Sequence, residues 1–96
     1  MDLSYIAERA YQNHKNKGFK NEHLAIQAML IVTELAEVVE ADRKQEGAER
    51  IGEELADVIL RTVILAKQLN IDLEKAIEAK MIKNEGRTYK HGGKLY

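Results

Sequence analysis

The 96-residue chain has no cysteine, no proline, no tryptophan and a single phenylalanine. Without cysteine there is no disulfide framework, no thiolate zinc site and no cysteine nucleophile, and a reducing cytoplasm is the compatible and expected location. With proline, tryptophan and most aromatics missing, the core must come from Leu, Ile, Val, Ala and Met, which are helix-favouring material. No uninterrupted apolar run is long enough for a bilayer, because Gln27, Asp57 and Arg61 break the longest ones. The opening "MDLSYIAERAY" lacks a basic segment followed by an apolar one, so no signal peptide is expected.

What is present fits a folded soluble chain of one domain, with 45% hydrophobic and 32% charged residues. The net charge of −1 hides an asymmetry. Residues 34–57 carry nine acids and three bases, whereas residues 80–96 carry five Lys or Arg and one Glu. Such a split suggests two surfaces with different tasks, the plainer alternative being solvated helix faces. A nucleic-acid binder is disfavoured: the charge is near neutral, the bases gather at one end and no recognition motif is present.

Punctuation is sparse. "NKGFKN" reads as a turn with Gly18 ending one helix and Asn21 capping the next, "KQEGAER" as a polar break at Gly47, and "NID" as a cap at Asp72, with Gly86 as a later stop. The chain is therefore expected to be all-α, with four helices near 2–17, 21–45, 48–70 and 72–85 and a basic tail over 87–96. No segment sustains the period of two that a strand needs. The two long central helices, packed antiparallel, carry apolar residues nearly all round. One chain of this length cannot cover both, which points to a bundle shared in a homo-oligomer, dimer or tetramer.

Two acidic pairs share one spacing: "ELAE", with Glu34 and Glu37, and "ELAD", with Glu54 and Asp57. A separation of three residues places both acids of a pair on one helix face. Antiparallel packing of the central helices brings the pairs together as four carboxylates around a small volume. Like charges gathered in a partly dry place raise pKa values or demand cations, and carboxylates without His or Cys partners suit hard divalent ions, Mg²⁺ above all, with Mn²⁺ as a substitute. A ferritin-like di-iron site fits less well, since neither pair is followed by the histidine such sites use. The plain alternative leaves the three glutamates on the surface and pairs Asp57 with Arg61 one turn on.

"TELAEVVEADR" followed by "GEELADVILRTVILAKQLNIDLEKAIEAKMIKNEGR" resembles the MazG-like, all-α nucleoside triphosphate pyrophosphatase superfamily. The likeness runs over about residues 22–93 and rests on E-x-x-E, a spacer, E-x-x-D and a downstream Lys- and Asn-containing element. The resemblance implies hydrolysis of (deoxy)nucleoside triphosphates between the α- and β-phosphates. It implies Glu34, Glu37, Glu54 and Asp57 as Mg²⁺ ligands and catalytic acids, and Lys80, Lys83, Asn84 and Arg87 of "KMIKNEGR" as substrate contacts. Lys90 and, less strongly, Gln27 join them as candidate binding residues, and Tyr5, Tyr11, Phe19 and Tyr89 are the aromatics available to stack on a base. His14, His23 and His91 are scattered and form no ligand pattern.

Two rivals stand beside nucleotide-pool house-cleaning. One is phosphoribosyl-ATP pyrophosphatase, which is similar in size and acid pattern although nothing here reads as a loop for a phosphoribosyl group. The other, of a different kind, is a non-catalytic helical module that oligomerises and regulates a partner.

Overall fold

The structure, a computed structural model, describes residues 1–18 and 23–87. These residues form four α-helices and no strand: α1 (Leu3–Asn16), α2 (Leu24–Arg43), α3 (Ala48–Gln68) and α4 (Leu73–Glu85). The ends agree with the sequence expectation to within three residues. The largest difference is at the start of α2. Asn21 lies outside the described residues, and the cap observed is His23, whose Nδ1 accepts from the Ala25 amide at 3.4 Å. No helix is long and apolar enough to cross a membrane among the described residues.

Local chemistry explains the other ends. Asp2 Oδ1 accepts from the Tyr5 amide at 2.8 Å, and Asp72 Oδ1 from the Lys75 amide at 3.1 Å, each satisfying a donor that the first helical turn leaves open. Both long helices close with one residue in the left-handed region, Gln45 after α2 (φ 56°) and Asn70 after α3 (φ 57°). The next amide then reaches back five residues along the chain, Glu46 to the Ala41 carbonyl at 3.0 Å and Ile71 to the Ala66 carbonyl at 2.9 Å. This is the Schellman closure, made here without glycine at the left-handed position. Gly86 sits where a stop was expected but at φ −84°, so α4 ends without using its conformational freedom.

Helix α3 is the hub, with α1, α2 and α4 each packing on it. Its Val63 and Ala66 are buried, as is Ala41 of α2. Helix α1 is tied down at several points. Glu8 meets Lys67 of α3 at 2.6 Å, and Glu74 of α4 accepts from the Leu3 amide at 3.1 Å. Among the described residues α1 and α2 both lie on α3 without touching each other. A trough therefore runs between them with α3 as its floor.

The apolar faces are only partly used. On α2 the side facing α3 carries Leu30, Glu34, Val38 and Ala41, all half-buried or buried. The other side exposes Met29, Val32, Leu35 and Val39, each by half or more. Leu55 and Ile59 of α3 are likewise exposed. In the stretch "GEELADVILRTVILA" the apolar residues run nearly all round the helix, more than one chain was expected to cover. Leu55, Ile59 and Leu60 are open in the single chain, while Glu54 is only 3% exposed.

Candidate metal centre

Each acid is placed by the pairing of α2 with α3. The two helices run antiparallel through a connection of residues 44–47. Stepping back one turn along α2, from Glu37 to Glu34, therefore steps forward along α3, from Glu54 to Asp57 and Arg61. One carboxylate oxygen from each of Glu34, Glu54 and Asp57 lies within 4.8 Å of the others. Glu37, one turn from Glu34 on the same helix, is close enough to Glu54 and Glu34 for their carboxyls to act on its titration. Three of the four acids singled out from the sequence thus converge, with Glu37 to one side of them.

Their environments differ sharply. Asp57 and Glu37 are exposed, Glu34 is half-buried and Glu54 is buried. Arg50, one turn before Glu54, reaches its Oε1 at 2.8 Å and Glu53 at 2.9 Å. The other oxygen, Glu54 Oε2, is buried with no hydrogen-bond partner. A buried carboxylate oxygen without a partner is costly, and coordination of a cation is one way to repay the cost. The donor set, all carboxylate oxygen, fits Mg²⁺ or Mn²⁺. With one oxygen of each acid within 4.8 Å of the others, Glu34, Glu54 and Asp57 would be the residues to hold such an ion.

The mutual repulsion leaves a trace. The nearby Glu54 carboxyl, to which Glu37 can hydrogen-bond, and the charge of Glu34 hold the Glu37 carboxyl above its usual range. A folded pKa raised above the ordinary value of 4.5 means that the folded state binds the extra proton. The stability it contributes is present at low pH and is lost as pH rises through the raised pKa. In the presence of a chelator, thermal unfolding of the wild type should show this decline above pH 4.5, and Glu37→Gln should flatten it. An identical slope in the two proteins would place the effect elsewhere.

Arg61 does not pair with Asp57. Its Nε donates instead across the helix interface to Glu34 Oε1 at 2.9 Å. The one-turn spacing permits the intrahelical pair, but the rotation of α3 turns Arg61 toward α2. Glu34, Asp57 and Arg61 share the wall of a cleft of about 630 Å³, which is the trough between α1 and α2. Leu30, Leu60 and Ile64 supply its apolar wall, and α1 adds Asn13, His14 and Lys17.

The α1 contribution was missed in the sequence, where His14 read as one of three scattered histidines. Its ring stacks with Tyr11, with centroids 6.5 Å apart, and its Nε2 lies 3.3 Å from Gln68 Nε2. Of the aromatics proposed for stacking, Tyr11 is engaged by this ring and by Lys15, Tyr5 is exposed, and neither lines the cleft. Phe19 and Tyr89 lie outside the described residues.

The candidate substrate residues fall elsewhere. Lys80, Lys83 and Asn84 are exposed on α4 and Arg87 follows it, also exposed; none lines the cleft within one chain. Gln27 is half-buried on α2, two turns before Glu34. Lys90 is outside the described residues.

An all-α chain with three helix-borne carboxylates converging beside a ligand-sized cleft is a helical protein with an all-carboxylate candidate metal centre. The profile of the MazG-like family matches residues 20–94, most of the chain, and the chain belongs to that family. Comparison with curated proteins and with solved structures gave no match.

Proposed function

We propose that the protein is a Mg²⁺-dependent nucleoside triphosphate pyrophosphatase, which releases the nucleoside monophosphate and pyrophosphate and serves nucleotide-pool house-cleaning. The observation that carries this reading is that two of the three clustered carboxylates, Glu34 and Asp57, stand in the wall of a cleft of about 630 Å³, within the size range of small-molecule sites. Family membership supports it. Glu34, Glu54 and Asp57 hold the cation; Mg²⁺ there would polarise the scissile phosphoryl group and lower the pKa of an attacking water. Glu37, exposed and outside the compact trio, is the carboxylate left to take the proton of that water. Leu30, Leu60 and Ile64 offer an apolar wall to a base, and Asn13 and His14 offer hydrogen-bonding groups to its edge.

The protein acts in this reading as a homo-oligomer. Its open apolar face, Met29, Val32, Leu35 and Val39 along one side of α2, then meets a second copy. In such an assembly the exposed bases of α4 are free to approach a neighbouring copy's cleft.

The test is a pyrophosphate-release screen with and without Mg²⁺ over ribo-, deoxy- and modified nucleoside triphosphates, with phosphoribosyl-ATP as a further substrate. Mg²⁺-dependent release from one or more nucleoside triphosphates is expected. Preference for phosphoribosyl-ATP would move the assignment to the histidine-synthesis type of enzyme. Silence across the panel would favour a non-catalytic helical module.

A further inference from the structure

Arg61 is the arginine that lines the cleft, and its hydrogen bonding is incomplete. A guanidinium carries five N–H donors in a rigid fork. Arg61 uses Nε on Glu34 Oε1 at 2.9 Å, and its two terminal amino groups have no hydrogen-bond partner among the described residues. The side chain is 43% exposed and lines the same cleft as Glu34 and Asp57. As a folding element such a half-open pair is worth little. As an anchored fork it is well made: one nitrogen fixes the plane of the group while the remaining two face no competing acceptor. The other arginine beside the acids, Arg50, is spent differently, with both terminal nitrogens on Glu53 and Glu54.

The cleft needs such a group. A triphosphate brings about four negative charges toward a wall that already holds Glu34 and Asp57. The bases of α4 do not line the cleft within one chain. Lys17 does, but from the cap that follows α1, as a point charge rather than a planar fork.

We infer that Arg61 binds the phosphates released as pyrophosphate, held in place by Glu34 through Nε and contacting the β- and γ-phosphoryl oxygens through its terminal amino groups. The arrangement joins the substrate to the metal centre directly, because the acid that orients the fork is itself one of the three cluster carboxylates. This inference rests on the nucleotide reading of the cleft.

The experiment uses inorganic pyrophosphate with Mg²⁺ as the probe, measured by calorimetric titration of the full chain alongside steady-state kinetics. Mn²⁺ binding without any phosphate, followed by electron paramagnetic resonance, is the second readout. Arg61→Lys keeps the charge and loses the fork, and Arg61→Gln loses the charge. In both, Mn²⁺ affinity should stay within about threefold of wild type, or tighten in Arg61→Gln. The pyrophosphate Kd and the triphosphate KM should each rise about ten- to a hundredfold, the worth of a charge-assisted hydrogen bond, with kcat changed far less. Unchanged pyrophosphate Kd and KM in both variants, beside an altered Mn²⁺ affinity or melting temperature, would overturn the inference and leave Arg61 as a structural counter-ion. If the wild type itself binds neither Mn²⁺ nor Mg²⁺-pyrophosphate, the nucleotide reading of the cleft fails first and the inference falls with it.

Discussion

Glu54→Gln should abolish the response of the protein to Mg²⁺ while leaving the metal-free fold intact. The amide has nearly the volume of the carboxyl, so the buried site, only 3% exposed, is not emptied. Two electrostatic changes then oppose each other. Arg50 loses one partner but keeps Glu53 and stays half-exposed. Glu37 loses the neighbour that contributes most to pushing up its pKa. We therefore expect a metal-free melting temperature no lower than that of wild type.

With Mg²⁺ added, the wild type should be stabilised by mass action and the variant should not. Pyrophosphate release should fall more than about a hundredfold, since loss even of outer-shell support to a metal costs 10- to 100-fold. Thermal melts with and without Mg²⁺, read beside the pyrophosphate assay, check both parts. An equal Mg²⁺-induced shift in the two proteins would remove Glu54 from the metal site. Glu54→Ala is the less informative change, because it also opens a cavity.

If the protein is the shared bundle proposed above, Leu35→Glu should convert it to monomers. Leu35 stands in the middle of the open stripe on α2, with Val32 before it and Val39 one turn after, and it is about half exposed in the single chain. Burying the rest of such a side chain against a second copy contributes about 1 kcal/mol or more at each position. A glutamate there would have to be desolvated without a partner, which costs several times that amount. Light scattering after size exclusion should show the mass fall to that of one 10.9 kDa chain, with a lower melting temperature. Leu35→Ala should weaken association far less. A wild type already monomeric at tens of micromolar, with unchanged behaviour of Leu35→Glu, would refute the shared-bundle proposal.

Much of the centre was legible because helical spacing is rigid. Glu34 with Glu37, and Glu54 with Asp57, must share a face whatever else the chain does, and a short connection between two long helices makes antiparallel pairing the simple outcome. The partner of Arg61 was not legible. Spacing permits Asp57, and only the rotation of α3 against α2 decides for Glu34. Apolar character marks Leu55 and Ile59 as residues that want cover, and both are exposed in the single chain, as the all-round apolar pattern led us to expect; which residues would stay open was not legible. Asn13, His14 and Lys17 carried no signal at all. Nothing in α1 marks it as a wall of the cleft until it lies along α3, and contacts so distant in sequence leave no periodic imprint.

The Schellman closure at Gln45 and the short connection that follows give the protein an order of assembly. All four acids fall within residues 34–57, so bringing them together closes only a small loop, and the entropy lost is correspondingly modest. The contacts of such a helical hairpin are local in sequence, which favours early formation, whereas α1 has to reach α3 past the whole of α2. On this topology the hairpin that carries the acids can form before α1 docks. If the proposed metal site holds a divalent ion, that ion would favour folding of the hairpin as well as take part in the chemistry.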